Sequence, residues 1–174
     1  IIVSRSFGQR ISNLKELRPI VSNFAVRAAE KLRNERQKCS QVSVFVRTSP
    51  FNRNKPQHSD LKTIELFTPT NDTRDILAAA KKGLLPIFRS GYDYAKAGII
   101  LNKFSDEKTK QYSLFKDPNE PKQNMRLMKY LDQMNNYETQ IYYASQNTKK
   151  WSPMKQNMTS PKYTTNWYEL PKVN

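Results

Sequence analysis

The residues able to do acid–base, metal or nucleophilic chemistry are few and poorly grouped. Asp72 and Asp75 stand one helical turn apart, at an expected helix start. Carboxylates there cap free N–H groups and oppose the helix dipole. Asp106 and Glu107 lie in the charged run SDEKTK. There is one histidine, His58, and one cysteine, Cys39, so a His-rich metal centre or a multi-cysteine zinc site is not expected. Cys39 follows a basic helix end but has no general base beside it, and is expected as a buried, inert thiol. No phosphate-binding glycine loop, CxxC pair or His–carboxylate cluster occurs. These absences lead us to expect a chain without catalysis, metal or cofactor of its own.

Positive charge is the chemistry the sequence does offer. Lysine and arginine total 30 against 15 acidic residues, a formal charge of +15. Residues 1–116 carry 22 basic and 10 acidic groups, a net of +12, and residues 117–174 carry only +3. So much self-repulsion points to a polyanionic partner, nucleic acid above all. A basic surface serving solubility is the plainer alternative. A membrane partner is disfavoured: no helix sets a basic face against a bulky apolar one, and no apolar run approaches about 18 residues. The opening IIVSRSFG has no basic leader or cleavage site, so no signal peptide is expected and the expected location is the cytoplasm.

The elements that must position this charge can be read from periodicity. Residues 1–7, ending at Gly8, read as a strand. Leu14, Leu17, Val21, Phe24, Ala28 and Leu32 recur at three and four, which makes one helical face, with Ser12 as the expected N-cap. Pro19 would delay the regular helix to about Arg18. Val42, Val44 and Val46 alternate as a half-buried strand. Residues 49–60 are a polar loop, and Lys62 to Phe67 a short strand. Pro69, Thr70 and Asp72 announce a second helix over Ile76, Ala79, Ala80 and Leu84, which Gly83 and Pro86 should break or kink. Tyr92 to Phe104 reads as the last strand, with Ala95, Ala97, Ile99 and Leu101 on one side. Tyr94, Lys96, Gly98 and Ile100 take the other.

The order is β-α-β-β-α-β, an α+β fold. With crossovers of the usual hand, both helices cover one face of a four-stranded sheet. The open face should show Phe45, Arg47, Tyr94 and Lys96. After residue 105 come a linker and a tail rich in Asn, Gln, Lys, Tyr and Thr, with a short helix at 124–135 and a strand at 140–144.

Several long blocks also carry a resemblance. SRSFG at 4–8, RAAEKLRNERQ at 27–37, VSVFVRTSPF at 42–51, LFTPTNDTRDILAAA at 66–80 and YAKAGIIL at 94–101 resemble the little-finger domain of the UmuC-type Y-family translesion DNA polymerases, the polymerase V type. WSPMKQNMTSPKYTTNWYELPKV at 151–173 resembles their C-terminal extension. The stretch at 135–148 departs from that pattern by lacking glycines.

The resemblance implies a little finger at 1–105, a linker with a clamp-binding motif at 106–120 and the extension at 121–174. It implies a C-terminal fragment of a polymerase whose catalytic carboxylates and magnesium belong to a palm domain upstream. Primer-template DNA would be held through its phosphates. The residues expected to touch it are Ser4, Arg5, Ser6 and Arg10 near the first strand, Arg47 and Thr48 at the end of the second, and Tyr94, Lys96 and Gly98 on the last. Phosphate contacts need cations and free backbone N–H groups and carry little sequence information, which suits tolerance of damaged template.

QYSLF, residues Gln111, Tyr112, Ser113, Leu114 and Phe115, resembles the peptide that binds the β sliding clamp. Leu114 and Phe115 would bury the apolar area and Gln111 would fix the register. The processed UmuD dimer and the RecA filament are the further partners implied. The rival readings are a free-standing basic nucleic-acid-binding module and a protein-interaction adaptor.

Overall fold

The computed structural model describes residues 1–52, 54–108, 120–135, 141–146 and 159–170. The elements are β1 (Ile2–Ile11), α1 (Leu14–Asn34), β2 (Gln37–Thr48), β3 (Ser59–Thr70), α2 (Thr73–Ile87), β4 (Tyr94–Asp106) and α3 (Glu120–Asn135). The α+β order expected from the sequence is therefore present. The sheet is antiparallel at every pairing, in the order β1-β4-β2-β3. It follows that β1 and β2 run the same way on either side of β4, and β3 and β4 on either side of β2. Each helix is the crossover between one such parallel pair.

The helix α1 starts one residue later than Ser12 suggested: Asn13 is the N-cap, its Oδ1 accepting from Lys15 N–H at 2.9 Å. Pro19 lies inside α1, near its start. Only the bond to the Lys15 carbonyl is lost there, while Leu17, Ile20, Val21 and Phe24 are all buried around it. A buried side chain of this size contributes about 1.5–3 kcal/mol, so packing outweighs the local penalty. In α2, Asp72 caps through Oδ1 to Arg74 N–H at 2.8 Å.

Gly83 and Pro86 do not end α2, which runs on to Ile87. A Cβ on Gly83 would stand 3.2 Å from Val44 Cγ2 and 3.5 Å from Ile64 Cγ1, so the glycine lets the helix settle close to the sheet. Pro86 sits in the last turn, where little helix remains to disrupt.

The core lies between the two helices and one face of the sheet. Leu17, Val21, Phe24, Ala28 and Leu32 of α1 and Ile76, Ala80 and Leu84 of α2 meet Val42, Val44, Val46, Ala97, Ile99 and Leu101. Cys39 joins this core as a free thiol, and burial pushes its pKa up to about 11, which suppresses the reactive thiolate.

The third helix packs on the same side as α1 and α2. Arg33 of α1 grips Asp132 with two bonds of 2.6 Å and also donates to the Asn71 carbonyl and to Thr73 Oγ1. Arg74 reaches Asn124 Oδ1 at 2.7 Å, and Met128 is buried. Residues 141–146 form no strand, contrary to the expectation for 140–144. They turn, so that Tyr143 packs on the core and Gln146 donates to Asn23 Oδ1.

Candidate nucleic-acid interface

The helices and α3 occupy one side of the sheet, and among the described residues no element covers the other. Pairing register arranges that open face in rows running across the strands. The first row is Ser6, Lys96, Arg47 and Ser59, the second Ser4, Gly98, Phe45 and Leu61. The third is Ile2, Ile100, Ser43 and Thr63, and the fourth Asn102, Gln41 and Glu65.

The first row carries the strongest electrostatic feature. Lys96 and Arg47 stand directly opposite each other on adjacent strands. Like charges so placed repel and destabilise a sheet. Among the described residues neither has an acidic partner. Hydroxyl residues flank the pair at both ends. The one carboxylate in the four rows, Glu65, is already engaged by Lys103 at 2.9 Å and Gln41 at 2.8 Å, and these bonds hold it below the usual carboxylate range. The face is thus cationic and hydroxyl-rich, with an apolar patch beside the cations.

Gly98 owes its identity to packing within this face. A Cβ there would fall 2.4 Å from Ser4 Cβ and 2.7 Å from two ring carbons of Phe45. The Phe45 ring occupies the space above the glycine, as aromatic side chains do over glycines in sheets. The space that the missing side chain of Gly98 leaves is therefore taken by Phe45.

The structure brings together Ser4, Ser6, Arg47, Lys96 and Gly98 of the nine residues expected to meet DNA. Four stand elsewhere. Tyr94 is fully buried in the core, against the expectation that it faces outward. Its hydroxyl accepts from Arg89 N–H at 2.9 Å and lies 3.1 Å from His58 Nδ1, and burial raises its pKa. The cause is a register shift: Arg47 pairs with Lys96, but the next residue, Thr48, pairs with Tyr94. One extra residue on β4, Ala95, reverses the side taken by Tyr94.

Thr48 is also buried, its hydroxyl bonded to Gln57 Oε1 at 2.9 Å and to His58 N–H at 3.0 Å. Arg5 pairs with the core-facing Ala97, which puts it on the helix side of the edge strand, although exposed. Arg10 is exposed beside Ile11, in the irregular stretch of β1 after Ser6.

Sequence reasoning missed two participants. Ser59 completes the first row, and only the β2–β3 register reveals it. His58 ties the loop to the end of the sheet, with its ring 5.0 Å from Tyr92 and 5.9 Å from Tyr94. The clamp-type segment Gln111–Phe115 lies outside the described residues. Within the described residues no three His, Cys, Asp or Glu side chains gather to hold a metal ion, and no helix is long and apolar enough to cross a membrane.

A four-stranded sheet backed by helices on one side and cationic on the other defines an α+β platform domain. The chain belongs to the impB/mucB/samB family, whose C-terminal domain model matches residues 1–114. A second model, a domain of unknown function (DUF4113), matches residues 125–173. Protein UmuC of Salmonella typhimurium strain LT2 is 43% identical over 176 residues, covering 99% of this chain and 42% of that protein. Protein SamB of Salmonella typhimurium is 41% identical over 172 residues, covering 98% of this chain and 41% of that protein. The chain thus spans about two fifths of the length of these relatives. Among solved structures, a complex of the beta-clamp processivity factor and the little finger domain of PolIV is similar at a TM-score of 0.44 and 16% identity, over 67% of this chain and 98% of that one.

Proposed function

We propose that this chain is the DNA-holding and clamp-tethering region of an error-prone translesion polymerase. Residues 1–105 grip primer-template DNA, residues 106–120 carry the clamp tether and residues 121–174 form the extension. The reading gives the chain no catalysis and no cofactor, since the resemblance assigns the magnesium-binding carboxylates to a separate palm domain. It keeps the processed UmuD dimer and the RecA filament as partners of the extended enzyme.

One observation carries the DNA reading: the Ser6–Lys96–Arg47–Ser59 row, two adjacent cations with hydroxyl neighbours and no acid beside them. Two phosphates on that row would relieve the repulsion between the cations and fill the hydroxyls. Contacts of this kind position a duplex without reading its bases. Fluorescence anisotropy on several primer-templates of unrelated sequence tests this. Arg47→Ala should weaken binding by a similar factor on all of them. A factor that changes with sequence would mean base readout and would contradict the reading.

The tether is tested separately. Changing Leu114 and Phe115 together to Ala should abolish binding to the β sliding clamp, because those two side chains supply nearly all of its apolar anchor. DNA affinity should be untouched, and clamp binding that survives the change would remove the assignment.

A further inference from the structure

The loop between β2 and β3 springs from the end of the cation row, and it holds one large aromatic side chain almost wholly in solvent. Phe51 is 92% exposed. The loop is bonded across its base and along its length. Thr48 N–H donates to the His58 carbonyl at 2.9 Å, and Gln57 Nε2 donates to the Asn52 carbonyl at 2.7 Å. Lys55 is paired with Asp93 from the neighbouring turn, and the His58 ring lies against Tyr92. The loop is therefore fastened on both sides of Phe51, and the ring is displayed by a built frame.

Its surroundings decide what it fits. An aromatic anchor for a protein pocket normally sits among other apolar residues that exclude water. Phe51 stands between Pro50 and Asn52, with Asn54, Lys55 and Gln57 following, and all of these are exposed. A single π-face in a polar, basic loop is the pattern used to stack unpaired nucleobases, with nearby cations holding the backbone. Arg47 is four residues away, a chain reach of at most about 14 Å. A strand whose phosphates lie on Arg47 and Lys96 can bring a base onto the ring within a few nucleotides.

We propose that Phe51 is a stacking site for an unpaired base of the template strand, next to the duplex-holding row. The proposal rests on the DNA-holding reading above and adds to it a preference for a single-strand junction. Neither open-face aromatic expected from the sequence can do this, since Tyr94 is buried and Phe45 covers Gly98.

Three fluorescent duplexes test it with the whole chain: blunt, with a base-bearing single-stranded template overhang, and with an abasic overhang of equal length. The wild-type chain should bind the base-bearing overhang about tenfold more tightly than the abasic one, as one stacked base warrants. Phe51→Ala should erase that difference and leave the blunt-duplex affinity intact, while Phe51→Trp should keep it. A preference unchanged in Phe51→Ala would leave the ring to a protein pocket and overturn the proposal. So would equal affinity of the wild-type chain for the two overhangs while blunt-duplex binding persists. If no duplex is bound at all, the DNA-holding reading falls, and this proposal with it.

Discussion

Gly98→Ala should lower the stability of the domain by about 1–3 kcal/mol, the usual cost of forcing atoms into a packed site. The added methyl would lie 2.4 Å from Ser4 Cβ and 2.7 Å from the Phe45 ring. The ring can swing aside, but Ser4 Cβ is fixed to the backbone of β1, which pairs with Gly98 itself. Relief therefore requires the two strands to move apart at the middle of their pairing. For a domain near 100 residues this predicts a fall in Tm of roughly 4–8 °C per kcal/mol. Thermal melts followed by circular dichroism would show it. Phe45→Ala in the Gly98→Ala background should recover only part of the loss, because the Ser4 contact persists. A Gly98→Ala protein as stable as the wild type would contradict the row packing that builds the open face.

Arg33→Ala should release α3 from the back of the domain. The guanidinium makes four bonds there, two to Asp132 and one each to the Asn71 carbonyl and Thr73 Oγ1. Arg33 keeps 9% of its side-chain exposure and Asp132 keeps 22%. The loss of one partner from a fully buried pair costs about 3–5 kcal/mol. Asp132 retains some water, so the expected cost here is smaller, about 1–3 kcal/mol with that solvation allowed for. The loss is confined to α3 and the first turn of α2, since the sheet makes none of these bonds. Amide exchange in residues 124–135 should therefore speed up by about tenfold or more, with exchange in β2 and β4 unchanged. Asp132→Asn keeps the shape and removes the charge, and should give a weaker form of the same effect. Exchange in α3 that is unaffected by Arg33→Ala would show that the ion pair does not hold it.

The fold was legible where periodicity and burial agree. The α1 residues Leu17, Val21, Phe24, Ala28 and Leu32 recur at helical spacing and are all buried, as are the alternating Val42, Val44 and Val46. Breaker residues misled in α2, because Gly83 serves a close approach to Val44 that only the packed structure reveals. The site was half legible. Arg47, Lys96, Ser4 and Ser6 could be assigned to one face by counting in twos, and the sheet order then joined them. Tyr94 could not be placed this way, since the extra residue Ala95 has no local signature yet reverses the side that Tyr94 takes. Thr48 is different: it continues the alternation of Val42, Val44 and Val46, which puts it on the core side, where its hydroxyl closes the loop. Phe51 escaped notice because an exposed aromatic inside a polar loop has no periodicity to mark it.

If the open face holds DNA, Lys96 and Arg47 meet its phosphates, and salt dependence measures that contact most directly. Binding of the whole chain to one primer-template should be followed across a range of salt concentrations, for the wild type and for a variant with both Arg47→Ala and Lys96→Ala. Each phosphate contact contributes about 0.9 to the slope of log affinity against log salt on duplex DNA. The wild-type affinity should fall steeply, and the double variant should bind more weakly with a slope reduced by about 2. A wild-type affinity indifferent to salt, or a slope unaltered by removing both cations, would contradict the claim that this face holds the DNA backbone.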